Sequence, residues 1–171
     1  MTDQPRARRH DVAVIGYGPV GATLAGLLGA RGLDVVVVDK DTDPFPLPRA
    51  AHLDHTTLRT LQELGVTDEV MADMLPNPGL DFVNAARQRL IRIPGNQGSV
   101  SGLPASMYFH QPGFERALRR AVGALPAVDV RLGTNVYGLR DLGDHVALRV
   151  TRPGGAGTIE ASWVVACDGA S

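Results

Sequence analysis

Hydrophobic and polar positions along the chain change their period several times, and each change marks an element. Val12 to Ile15 is an unbroken apolar run, the pattern of a strand buried on both faces of a parallel sheet. A glycine turn follows, Gly16-Tyr17-Gly18-Pro19-Val20-Gly21, and then a helical pattern to about Arg31. In that helix Val20, Leu24, Leu27 and Leu28 form an apolar stripe at i, i+4, i+7 and i+8, and Gly32 stands where a C′ glycine would end it. A second apolar run, Val35 to Val38, ends on Asp39. This grammar predicts one strand–helix–strand unit.

Prolines at 44, 46 and 48 then rule out helix or central strand up to Arg49. A helix is predicted from about His55 to Leu64, with Asp54 as N-cap, Gly65 as stop, and Leu58, Leu61 and Leu64 inward. From Met74 to Ser106 the pattern weakens into turn-rich sequence, in which LDFV and RLIRI read as a hairpin. A strand-like Met107-Tyr108-Phe109 precedes Gln111-Pro112. The helix after it is the best amphipath of the chain: Phe114, Leu118, Ala121, Val122 and Leu125 are expected inward, Glu115, Arg116, Arg119 and Arg120 outward. Val128, Val130 and Leu132 alternate as in a half-buried strand. Further strands are predicted at Asn135 to Leu139, His145 to Val150 and Thr158 to Ala166, the last two around the turn RPGGAG. The chain closes on Cys167-Asp168-Gly169, an acid–glycine turn after an apolar strand.

The first unit carries GxGxxG between a strand and a helix, with Asp39 placed 18 residues after Gly21. That context gives the motif its meaning. Gly16 permits a tight exit from the strand, and Gly18 lets backbone approach a pyrophosphate. Gly21, with Ala25 one turn later, makes a small ridge where the helix packs. Amides and the positive end of the helix dipole would face the phosphates, and Pro19 costs little at a first-turn position. Asp39 is placed to accept hydrogen bonds from a ribose diol. The motif predicts dinucleotide binding and does not separate FAD from NAD.

Composition narrows this reading. The length allows one domain of ordinary size. The net charge of −1 gives no global case for nucleic acid or anionic membrane. Cys167 is the one cysteine, which excludes an internal disulfide and fits a reducing cytosol. Arg8-Arg9 and the uncharged stretch after Val12 superficially resemble a targeting segment or a membrane span. Five glycines and Pro19 between Val12 and Ala30 argue against both, so a cytoplasmic chain without a membrane span is expected. The five histidines show no metal spacing, and no Ser-His-Asp or paired-carboxylate pattern stands out; no metal site and no side chain acting as acid, base or nucleophile is predicted.

In order along the chain, GYGPVG with Asp39, PRAAHLD, HQPGFERAL and ACDGAS resemble the N-terminal part of class A flavoprotein monooxygenases, the FAD-dependent aromatic hydroxylases related to para-hydroxybenzoate hydroxylase. Within them the 3-(3-hydroxyphenyl)propionate hydroxylase branch is the most similar, and the resemblance runs from His10 to Ser171. It implies an α/β, Rossmann-like FAD-binding domain over 10–171, with a parallel sheet and an added antiparallel β-meander, incomplete at its C-terminus. Residues 1–9 would be a disordered tail, and about 77–107 a hairpin excursion toward a substrate domain. It implies that Gly16, Gly18, Pro19, Val20 and Gly21 hold the FAD pyrophosphate, and that Asp39, with Lys40 beside it, holds the adenosine ribose. Arg49 would reach the phosphate and ribityl region, Gln111 the ribityl chain, and Asp168 with Gly169 would serve FAD and nicotinamide. His52 stands where several members have glycine.

The chemistry so implied uses NADH or NADPH to reduce FAD, O2 as co-substrate, and a flavin hydroperoxide that hydroxylates a small phenolic substrate. Family members continue well beyond their acid–glycine motif, so this chain is expected to be a portion of a longer protein, inactive as a hydroxylase alone and prone to self-association through uncovered edges. Two other classes remain: a non-catalytic nucleotide-binding or interaction module, and an epoxidase, halogenase or reductase on the same fold. A plain NAD dehydrogenase would not need the Arg49 and Gln111 segments.

Overall fold

A computed structural model describes residues 8–47, 49–95 and 98–169; the predicted leader up to residue 7, Pro48 of the proline loop, and Ala170 and Ser171 of the ACDGAS motif lie outside the described residues. In chain order the elements are β1 (Arg9–Ile15), α1 (Pro19–Ala30), β2 (Val35–Val38), β3 (His52–Asp54), α2 (His55–Glu63), α3 (Thr67–Ala72), β4 (Leu75–Pro76) and β5 (Gly79–Val83). They continue as β6 (Arg89–Pro94), β7 (Ser106–Tyr108), α4 (Gln111–Gly123), β8 (Val128–Arg131), β9 (Asn135–Asp141), β10 (Val146–Arg152) and β11 (Gly155–Ala166). Two compact units divide the chain: Met1–Pro44 with Leu118–Ser171, and Phe45–Ala117.

The first unit is built on a six-stranded sheet in the order β8-β2-β1-β11-β10-β9. β8, β2, β1 and β11 run parallel, and β11, β10 and β9 form the antiparallel meander. Leu148, Val150, Ile159 and Ala161 of the meander share one core cluster with Ala13, Val36 and Val38. The all-valine β2 is buried along its whole length, as a strand with a neighbour on each side and cover on both faces should be.

Helix α1 packs through the small ridge of Gly21 and Ala25 that the sequence predicts, and its apolar stripe is not the buried face. The residues it buries are Gly21, Ala22, Ala25, Gly26 and Gly29, while Val20 is 69% exposed and Leu24, Leu27 and Leu28 are only half-buried. The cause is close approach: a Cβ on Gly29 would lie 2.4 Å from Val128 Cγ2, so small residues must face the sheet and the larger ones flank it. Arg31 caps the helix and Gly32, at φ +82°, follows with its N–H on Gly29 O, as expected.

Strand β1 begins earlier than its apolar run. Arg9 opens it and reaches Asp144 and Ser162, and Arg8 pairs with Asp34, so these two arginines belong to the ordered unit rather than to a tail. His10 is buried, its Nδ1 3.0 Å from Asp34 Oδ1. Burial pushes the Asp34 carboxyl up, and hydrogen bonds from His10 and Arg8 more than offset this, leaving it below the usual carboxylate range.

The second unit holds a three-stranded antiparallel sheet, β3-β7-β4, and the separate hairpin β5–β6. Asp54 caps α2 as predicted, its Oδ1 accepting the Thr57 N–H at 2.8 Å, with Leu58 and Leu61 fully buried and Gly65 at φ +68°. The pattern did not reveal β3, α3 or β4, which are too short for a period to be repeated. Two outward assignments on α4 fail: Glu115 is buried and Arg119 half-buried. At the far end of the predicted alternation, Leu132 lies beyond β8 and is exposed. Among the described residues no helix is long and apolar enough to cross a membrane.

Candidate functional site

Because β8, β2, β1 and β11 are parallel, their carboxyl ends meet one edge of the sheet. β2 and β8 lie to one side of β1 and β11 to the other, so the turn after β1 occupies a topological switch point, where open α/β sheets take ligands. Three sequence-predicted pieces meet there: Gly16 to Gly21 after β1, Asp39 after β2, and Asp168-Gly169 after β11. The Gly16 N–H donates to Val38 O and the Cys167 N–H to Ile15 O, each at 2.7 Å, so the strand pairing continues into the turns.

The three glycines have different reasons to be glycine. Gly16 has φ +97°, and a Cβ there would lie 2.5 Å from the Cys167 carbonyl oxygen. A Cβ on Gly21 would lie 2.0 Å from Gly16 O, so this glycine closes the turn on itself rather than making room for the strand. Gly18 is ordinary extended backbone, φ −76° and ψ −171°, and a Cβ there would meet nothing within 4 Å. Pro19 starts α1 with no N–H to satisfy, and Val20 projects outward.

Both Asp39 carboxylate oxygens anchor backbone: Oδ2 accepts the Tyr17 N–H at 2.6 Å and Oδ1 the Asp41 N–H at 2.9 Å. Each oxygen keeps a further lone pair for another donor. Lys40 is exposed. Asp168 is exposed and Gly169 has φ +81°. Burial, and then the adjacent Asp168 charge, push the Cys167 thiol up.

Sequence reasoning missed the support of this turn. Tyr17, 2% exposed, donates its hydroxyl to Arg119 O at 3.3 Å, while Arg119 Nε donates to Tyr17 O at 3.1 Å and its guanidinium lies 4.8 Å from the Tyr17 ring centroid. The only signal was an aromatic residue standing between two glycines of the motif.

The second unit brings together Arg49 and Gln111. Gln111 Oε1 accepts the backbone N–H of Arg49 at 2.7 Å and of Ala50 at 2.8 Å, and its Nε2 donates to Glu115 at 2.7 Å. Three of the four hydrogen bonds the amide can make are thus formed, two of them to the Arg49 segment and one to Glu115. The Arg49 guanidinium stacks 4.6 Å over Phe45. His52 sits on β3, its Nε2 2.5 Å from Ser106 Oγ, which also accepts from Asn77 Nδ2 at 2.8 Å. No group of His, Cys, Asp and Glu side chains among the described residues could hold a metal ion.

Comparison with known proteins identifies the family. The FAD binding domain family matches residues 9–171. The "Probable NADH-specific resorcinol 4-hydroxylase" of Rhodococcus jostii (strain RHA1) is 38% identical over 161 residues, covering 93% of this chain and 30% of that protein. The 3-(3-hydroxy-phenyl)propionate/3-hydroxycinnamic acid hydroxylase 2 of Burkholderia vietnamiensis (strain G4 / LMG 22486) is 37% identical over 162 residues, covering 94% of this chain and 30% of that one. The crystal structure of p-nitrophenol 4-monooxygenase PnpA from Pseudomonas putida DLL-E4 superposes with a TM-score of 0.85 at 25% identity, over 96% of this chain and 42% of that one. The chain thus spans about 30% of the length of these curated relatives. With the family matched along nearly its whole length, the chain belongs to the FAD binding domain family of the flavoprotein aromatic hydroxylases.

Proposed function

We propose that this chain is the FAD-holding part of an NAD(P)H-dependent monooxygenase that hydroxylates a small phenolic ring with O2. The observation that carries the reading is Gly18: a position with no steric need for glycine, open on its side-chain face, set at the switch point beside a half-buried carboxylate. Such a site suits a ligand group that must come close to backbone. The chain's residues would divide the work. The Gly18 amide and the first amides of α1, at Val20 and Gly21, would neutralise the pyrophosphate. Asp39, while holding Tyr17 and Asp41, would take the ribose diol, and the Arg49 segment pinned by Gln111 would bear on the remainder of the cofactor. Asp168 and Gly169, beyond β11, would close the same edge. When bound, the flavin supplies the redox chemistry, and the protein orients it and limits access of water.

The names of the relatives favour a phenolic substrate, and one of them favours NADH as reductant. Since the chain spans about 30% of those proteins, we assign it the cofactor-holding share of the activity and not the whole. The test is an FAD titration followed by flavin fluorescence. Gly18→Val puts a branched side chain into the cradle without touching the fold, and is expected to weaken FAD binding at least ~10-fold, the equivalent of ~1.4 kcal/mol. A folded Gly18→Val protein with wild-type affinity would show that this turn does not hold the cofactor.

A further inference from the structure

The peptide between Tyr17 and Gly18 is trans, so its C=O and N–H point in opposite directions. Arg119, arriving from α4, holds that C=O through Nε at 3.1 Å. The preceding peptide is held as well, its Tyr17 N–H on Asp39 Oδ2 at 2.6 Å. The Tyr17 side chain is fixed from the same source, its ring under the guanidinium and its hydroxyl on the Arg119 carbonyl. With both flanking peptides and the ring restrained, the Gly18 N–H has one direction left. It points away from Arg119, and among the described residues it has no hydrogen-bond partner.

We infer that Arg119 is a positioning residue for the dinucleotide turn: by holding the Tyr17 carbonyl it aims the Gly18 N–H at the diphosphate of a nucleotide ligand. This rests on the FAD reading above and adds to it a residue 102 positions away in sequence. The half-buried guanidinium has a reason to sit here that packing alone does not supply. A hydrophobic side chain could cover Tyr17, but only a donor can fix the plane of the peptide. Preorganisation of this kind acts on affinity, because an amide already aimed at its acceptor need not be ordered on binding.

The test uses the full chain labelled with 15N and titrated with ADP, which carries the adenosine, ribose and diphosphate without the flavin. In the wild type the Gly18 amide resonance is expected to move strongly on binding. Arg119→Met keeps the aliphatic stem but removes the donor; it should weaken ADP binding ~5-fold, the equivalent of one net hydrogen bond, and shrink the Gly18 displacement. Arg119→Lys restores a donor and should recover most of both. Adenosine, which lacks phosphate, should lose no affinity in either variant. A second measurement needs no substitution: in the wild type the Arg119 Nε–H should exchange slowly with solvent and shift together with Gly18 as ADP is added. An Nε–H that exchanges like that of a free arginine overturns the inference, as does an Arg119→Met chain that binds ADP as tightly as wild type with the same Gly18 displacement. Absence of ADP binding by the wild type overturns the FAD reading itself, and this inference with it.

Discussion

Strand β2 and the hairpin β5–β6 are made of the same kind of residue and meet opposite fates. Val35 to Val38 are all fully buried, whereas Leu80, Phe82, Ile91 and Ile93 of the hairpin are each about half exposed. A β-branched or aromatic residue becomes core only where neighbours exist on both faces; the first unit provides them and a two-stranded hairpin does not. Each unit also holds its own candidate residues differently. In the first, the glycine turn is held by close backbone packing together with the side chains of Asp39 and Arg119. In the second, the Arg49 segment hangs on the single side chain of Gln111. The first arrangement should be intolerant of one added methyl, the second of one lost amide.

The largest effect is expected inside the turn. Gly21→Ala places a Cβ on a backbone oxygen and should cost ~3 kcal/mol, the upper end of ordinary overpacking. Gly18→Ala, three residues earlier in the same motif, should shift stability by less than ~0.5 kcal/mol. Urea denaturation of both variants measures the contrast, and equal costs would mean that the close approach of Gly16 O to Gly21 does not constrain the turn.

Next comes the second unit. Gln111→Ala strands the Arg49 and Ala50 amides and the buried Glu115 carboxyl together, at ~1–2 kcal/mol, softened because the loop is exposed. Hydrogen exchange should speed up at Arg49 and Ala50 and stay unchanged at Val36 and Val37. Acceleration in β2 as well would mean that the two regions do not fail separately.

The smallest effect is at the α2 cap. Asp54→Ala should cost ~1 kcal/mol at neutral pH. The Thr57 N–H holds the Asp54 carboxyl below its ordinary value, against an opposing push from burial. A depressed carboxyl contributes stability above its unfolded pKa of ~3.9 and loses it as pH falls through the lower folded value. The gap between wild type and Asp54→Ala should therefore be full at pH 7 and close in strong acid. A gap that persists there would assign the loss to something other than the charged cap.

Much of this protein is local, and local features are legible in sequence. The valine strand β2, the GxGxxG turn between strand and helix, the Asp54 cap, the Gly32 and Gly65 stops and the meander around RPGGAG each depend on residues within a turn or two of one another. Their chemistry is complete in the segment that shows it. What only the tertiary structure decided are partnerships across the chain. How closely α1 approaches the sheet follows from Val128, far downstream, and this leaves the stripe of Val20, Leu24, Leu27 and Leu28 at the flanks. Glu115 is buried because Gln111 turns its amide to the Arg49 loop, 62 residues earlier, and spares an N–H for it. Arg119 looks like a solvated charge on a helical wheel until Tyr17 is brought beneath it. Periodicity records whether a position prefers water, on average, over a single element. It carries no information about which distant backbone group needs a donor, and that need is what fixes the shape of this turn.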